Sequence, residues 1–222
     1  MGGRDVVRRP TQQQRRTATR AVLMASAVEL VVERGPSVST AEIAARAGVS
    51  KGAFQHHFAS KNELLAAVVA SGWNDLAERL EACEVSSTSP AARVRELVDL
   101  MWTAYQQPSC LAAFVISVDP GLGADLRVEL SAGFHDVRCR LDERWEVLFA
   151  DLDVSGGAIR AARRFARSHL LGMLTQRRLP HGEPPADVEL DRLCDATVHL
   201  LHGQVLTHPA PITRATTESS ST

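Results

Sequence analysis

The sequence predicts an all-helical chain, and three observations carry that reading. Apolar residues recur at three- and four-residue spacing along most of its 222 residues. No segment sustains the period-2 alternation of a strand, and no internal repeat is present. Gly, Pro and Ser/Thr interrupt the periodic runs at helix-length intervals, where caps and breakers belong.

The elements follow in order. Met1 to Arg16 is a polar arm ending in RRPTQQQRR, with too little apolar content to fold alone. A first helix is expected from about Thr17 to Arg34, with Val22, Leu23, Ala27, Leu30 and Val31 on one face, stopped by Gly35 and Pro36. Ser39 and Thr40 offer N-cap oxygens, and Glu42 completes a capping box with Ser39. The second helix, about Ala41 to Ala47, buries Ile43 and Ala44. Gly48 suits a left-handed turn, and Ser50 caps a third helix from Lys51 to Phe58. Ser60 and Glu63 form another capping box and open a fourth helix through about Cys83.

VSSTSP, residues 85–90, reads as an interior linker. Helical runs follow at about Ala91 to Gln107, Leu111 to Val118 and Gly123 to Phe149, broken at Asp119-Pro120-Gly121 and Ser155-Gly156-Gly157. Two last helices fit Ala158 to Arg178 and Pro185 to Thr207 on either side of LPHGEPP. A Thr/Ser-rich tail from Pro209 is expected to be disordered. The expected division is a flexible basic arm (1–16), a three-helix head (17–60), a helical body (61–208) and the tail (209–222).

Composition narrows the function classes. The chain is 45% hydrophobic and 23% charged, enough apolar content for one large domain or two small ones. No run of about 18 apolar residues suggests a membrane span, and no apolar segment follows the basic start as a secretory signal would, so a cytoplasmic protein is expected. Cys83, Cys110, Cys139 and Cys194 are far apart without a CxxC pair and read as reduced, mostly buried residues. GxSxG, P-loop and GxGxxG patterns are absent, so no cofactor or catalysis is expected; an unrelated helical hydrolase is the alternative. Residues 1–70 hold ten Lys or Arg against five Asp or Glu, a balance of +5, while the other 152 hold fifteen against twenty-one, a balance of −6. A basic head on an acidic body points to a polyanion partner for the head.

Two short helices around a Gly-containing turn make a helix-turn-helix unit, whose second helix enters the DNA major groove. Phe54 and Phe58 anchor the third helix to the core, leaving Lys51, Gly52, Gln55 and His56 outward. Gly52 permits close approach to DNA. Gln55 can pair with an adenine edge, and Lys51 with guanine or a phosphate. Thr40, Ser50 and Lys61 stand at helix N-termini, which attract phosphate. Arg15, Arg16 and Arg20 can add backbone or minor-groove contacts. His56 and His57 invite a metal reading, but adjacent helical residues point about 100° apart and cannot share one ion. His199 and His202, three apart, could hold one; capping and interface roles are preferred, and no metal is expected.

TAEIAARAGVSKGAFQHHFASKNELLAAV, with the preceding RAVLMASAVELVVERG, resembles the signature of the tetracycline-repressor (TetR) family over about residues 17–70. The resemblance implies a homodimeric repressor binding a palindromic operator in double-stranded DNA, with a C-terminal helical domain for a small effector that releases it; an activator or a ligand-independent regulator of the same fold is the alternative. It suggests that Thr40, Lys51, His57 and Lys61 contact phosphates and that Gly52 to His56 approach bases. Gln55 stands where members usually carry an aromatic, most often Tyr, so either a phosphate or stacking contact is lost or base readout shifts to an amide. Val31 replaces a common Phe. DPGLGADLR resembles a stretch of some members' effector domains.

In the body, Trp102, Tyr105, Phe114, Phe134, Trp145, Phe165, His169 and Met173, with Met101, are candidates to line a pocket for a largely apolar effector; plain core packing is the competing role. Ala158, Ala161, Ala162, Phe165, Ser168 and Gly172 form one stripe. Leu190, Leu193, Thr197, Leu200, Leu201 and Val205 form another. Together they are expected to build a four-helix dimer interface, unless one stripe packs only within its own subunit.

Overall fold

The computed structural model describes residues 11–179 and 187–203. Among these it forms nine helices and no strand: α1 (Gln12–Arg34), α2 (Thr40–Arg46), α3 (Lys51–His57), α4 (Lys61–Ala82), α5 (Pro90–Tyr105), α6 (Pro108–Ser117), α7 (Ala124–Leu148), α8 (Gly156–Arg177) and α9 (Asp187–Leu201). Residues 1–10 of the arm, Pro180 to Pro185 of LPHGEPP, both ends of the expected last helix, Val205 and the tail lie outside the described residues.

The helix starts are set by side chains that replace the missing backbone acceptors of the first turn. Ser39, Ser50, Ser60, Ser89 and Ser155 each accept an N–H three residues on. Three starts differ from expectation; α8 begins at Gly156 rather than Ala158, so Gly156 and Gly157 of the expected break lie inside the helix behind the Ser155 cap. α1 begins at Gln12 rather than Thr17, because Thr11 and Gln14 form a reciprocal capping box at 3.2 and 2.8 Å. α6 begins at Pro108 rather than Leu111, since a proline at the first helical position has no N–H to leave unpaired. Val22 is also corrected. It is 46% exposed, because the buried stripe of α1 runs through Leu23, Ala27, Leu30 and Val31. Gly35, at φ +82°, ends α1 in a conformation L-residues avoid.

α4 is the axis of the molecule. It packs against α1, α5, α6 and α7, and buries Leu64, Leu65, Val68, Val69, Trp73, Leu76 and Leu80. α8 and α9 pair at the far side, with α9 also against α5. Residues 83–89 do not separate two units. Arg144 on α7 donates to the Leu80 carbonyl at 3.0 Å and to that of Cys83, while Arg93 on α5 donates to Thr88 and Leu148 carbonyls at 3.0 and 2.8 Å. Head and body are joined as well, through α1 on α6 and through Arg178, whose guanidinium donates to the Val32 carbonyl at 3.2 Å. No described helix is long and apolar enough to cross a membrane.

Candidate nucleic-acid interface and effector cavity

The head presents α3 on a tight turn. Gly48 adopts φ +67°, its N–H and that of Val49 donate to Ala45 and Ala44 carbonyls at 3.1 and 3.0 Å, and Ser50 Oγ accepts the Ala53 N–H at 3.1 Å. Phe54 and Phe58 are 3% and 1% exposed, with ring centroids 6.0 Å apart, and fix the inner side of the helix. Lys51, Gly52, Gln55 and His56 are all exposed. At 100° per residue they fall within an arc of about 140° that excludes both phenylalanines. Thr40 and Lys61, the first residues of α2 and α4, are half-buried, as is His57. Burial pushes the Lys61 ammonium below the ordinary lysine range, against the opposing pull of Asp119 and Glu42.

The acids of the head are spent on holding it together. Arg46 of α2 receives Glu29 and Glu33 of α1 at 3.0 and 2.9 Å, and Arg34 pairs with Glu42 at 3.2 Å. Glu63 accepts the Ala59 N–H at 2.7 Å. The positive excess is therefore left to the outer face, where phosphates would meet it. Gln12, Arg15, Arg16 and Thr19 of α1 stand beside His56 and His57 and frame a cleft of about 480 Å³. Arg20 has a different place. Its guanidinium donates to the His57 carbonyl at 2.8 Å and lies 4.1 Å over the Phe58 ring, tying the end of α3 to α1.

Behind the head, α4 and α7 flank a cavity of about 460 Å³ that opens to solvent past Ala70 and Gly133. Ala66, Ala67 and Ala70 of α4 and Gly133 of α7 make the room; Trp73, Phe134 and Val137 make the wall, and Arg20 reaches its edge from α1. A second cavity of about 280 Å³ lies across Trp73, Leu130 and Phe134, and adds Ser117, Arg127 and Arg167. Trp73 meets Phe134 edge-on at 5.7 Å and Tyr105 at 6.3 Å, so one aromatic cluster divides the two spaces.

Residues 23–68 match the family of bacterial regulatory proteins described as the tetR family. A tetR-family region thus spans the second half of α1, the helix-turn-helix and the start of α4. No curated protein matches it by sequence. Solved structures share the fold at low identity. A tetR-family transcriptional regulator from Streptomyces coelicolor is 23% identical with a TM-score of 0.64, covering 85% of this chain and 82% of that one. A putative tetR-family regulator from Mesorhizobium loti is 20% identical with a TM-score of 0.62, covering 85% and 97%. GusR of Salmonella enterica is 18% identical with a TM-score of 0.67, covering 88% and 100%.

Of the eight head residues named from sequence, seven gather at the helix starts and on the outer arc of α3 and His57 lies half-buried at its last turn, while the eight body residues scatter. Only Phe134 lines either main cavity. Tyr105 and Trp145 are fully buried, with the Tyr105 hydroxyl and Trp145 Nε1 lacking hydrogen-bond partners among the described residues. Phe114 and Met173 are 7% and 6% exposed and belong to the core, and Trp102 packs against it half-buried. Phe165 and exposed His169 face each other on α8 with rings 6.0 Å apart. The sequence reading missed Ala66, Ala67, Ala70, Gly133 and Arg167; a run of small residues on one face of a long helix is the signal that could have found the first three.

Proposed function

We propose that the protein is a homodimeric repressor that reads a palindromic operator through α3 and releases it when a small, largely apolar effector enters the cavity between α4 and α7. The observation that carries this reading is the continuity of α4. Its first turn carries Lys61 beneath the DNA-facing side, and from its second to its fourth turn the same helix forms the cavity wall with Ala66, Ala67 and Trp73. An occupant would also touch Arg20, which holds the end of α3. Effector binding can shift the heads only by favouring one arrangement over another. In a dimer the two α3 helices must reach successive grooves about 34–36 Å apart, so small tilts of α4 matter.

For self-association, α8 keeps Ser168, His169 and Gly172 exposed and Phe165 half-buried, a face suited to a second copy. The stripe on α9 is mostly spent inside the subunit: Leu190, Leu193, Thr197 and Leu201 are 7% exposed or less. Sedimentation and gel-shift against the DNA upstream of the chain's own gene test the assembly and the operator together, and a reporter with the gene deleted gives the sign of regulation. A monomer that ignored that DNA at low salt would defeat the reading.

Two head substitutions separate base reading from phosphate binding. Gln55→Ala should change which operator bases are preferred, by about 1–3 kcal/mol at one position. Lys61→Ala should weaken all sequences alike and lower the salt slope by about 1. Equal losses on every sequence from both variants would remove Gln55 as a reader. Gly52→Ala is expected to move stability and binding in opposite directions. A Cβ there meets nothing nearer than Ser50 Oγ at 3.9 Å, so helix propensity should add up to about 1 kcal/mol in urea unfolding. Operator affinity should fall nonetheless, because the new methyl occupies the surface that approaches DNA.

A further inference from the structure

Four arginines border the two cavities, and three of them are already engaged. Arg20 donates to the His57 carbonyl at 2.8 Å. Arg140 binds Glu81 through two hydrogen bonds of 2.8 Å and Asn74 through a third. Arg127 donates to Leu122 and Pro120 carbonyls at 3.0 and 2.7 Å. The fourth, Arg167 on α8, has no carboxylate and no hydrogen-bond acceptor among the described residues. It lies 4.9 Å over the Phe134 ring on the wall of the smaller cavity. It is half-buried, which costs a guanidinium solvation that no protein anion returns.

The surroundings add to the demand for a negative group. Arg163 sits one turn before Arg167 on α8, and like charges at that spacing repel. Arg163 has its own counter-ion in Asp142, at 2.6 Å; Arg167 has none, and burial together with Arg163 weakens its hold on the proton. The Tyr105 hydroxyl, buried without a partner, is close enough for Arg167 to act on its ionisation. The two serine hydroxyls of this cavity donate elsewhere, Ser117 to Ala113 and Ser131 to Arg127 carbonyls at 2.7 and 2.8 Å. They leave lone pairs but no proton for an anion.

We propose that Arg167 is the anion-recognition residue of the effector site, and that the effector is an amphipathic carboxylate. Its apolar part lies along Trp73 and Phe134, and its carboxylate pairs with the Arg167 guanidinium. This inference rests on the α4–α7 cavity being the effector site and extends that site past Trp73 and Phe134, which line both spaces, into the smaller cavity: a largely apolar ligand gains one charged end. A guanidinium offers a carboxylate two parallel N–H donors, a geometry a neutral amide cannot repay equally.

The test uses matched carboxylate and carboxamide probes on the full chain: decanoate with decanamide, 4-phenylbutyrate with 4-phenylbutanamide, and 1-naphthylacetate with 1-naphthylacetamide. Binding is read by calorimetry and by quenching of tryptophan fluorescence, since Trp73 forms the wall. In at least one pair the carboxylate should bind the wild type about tenfold or more tighter than its amide. Arg167→Gln should bring the two within about twofold. Arg167→Met, which keeps an apolar stem over Phe134, should do the same if the glutamine variant does not fold. Operator binding without probe should be unchanged in either folded variant. Equal binding of acid and amide to the wild type overturns the anion proposal and leaves the cavity reading standing. So does a preference that survives in Arg167→Gln or Arg167→Met. Absence of binding by both members of every pair overturns the two readings together.

Discussion

Asp142→Ala will lower the free energy of unfolding by about 3–5 kcal/mol, as expected for removing one partner of a buried ion pair. Arg163 is 2% exposed, and its Nε donates to Asp142 Oδ1 at 2.6 Å between α7 and α8. Without the carboxylate, a buried guanidinium is left facing Arg167 and the apolar core, and no other described acid pairs with it. The pair itself adds little net stability, because burying both charges costs nearly what their attraction returns. Hence Arg163→Met with Asp142→Leu should recover most of the loss, and that recovery is the sharper measurement. Urea unfolding of the single and double variants decides it. A loss below about 1 kcal/mol in Asp142→Ala would mean that water reaches Arg163 and that the pair is not sealed.

The head was legible in the sequence because its determinants are local. Gly48, Ser50 and Ser60 each fix the backbone within three or four residues of themselves, and Phe54 with Phe58 declares the inner side of α3. The start of α1 was lost for a related reason: Thr11 and Gln14 cap a segment with no apolar period, so the helix begins before the hydrophobic pattern does. The cavity was illegible for a different reason. Large side chains in a helical body compete to fill space, and Tyr105, Trp145 and Phe149 fill it completely. A hollow forms where neighbours are too small to close it, as Ala66, Ala67, Ala70 and Gly133 are. Which residues fall opposite one another across α4 and α7 depends on tertiary register that no single helix encodes. The stripe on α9 shows the same limit: periodicity says that a face is buried, not whether its own subunit or a second one buries it.

Gly72→Ala tests whether the body can move the head. Gly72 faces α6 so closely that a Cβ would lie 2.7 Å from Ala113 Cβ and nearer still to the Ser109 carbonyl oxygen, and Cys110 Sγ donates to the Gly72 carbonyl at 3.1 Å. Two effects compete. Alanine is favoured over glycine inside a helix by about 1 kcal/mol. Against that, the clash involves backbone on α6, which no rotamer change relieves, and overpacking of this kind costs about 1–3 kcal/mol. The clash should win, leaving the variant less stable in urea. Separating α4 from α6 also displaces α1, which packs on α6, so operator affinity should fall although no DNA-facing residue has changed. Gly52→Ala supplies the contrast, since it should lose affinity while gaining stability. If Gly72→Ala instead became more stable and kept full operator affinity, α4 and α6 would be free to slide, and an effector in the cavity would have no rigid path to α3.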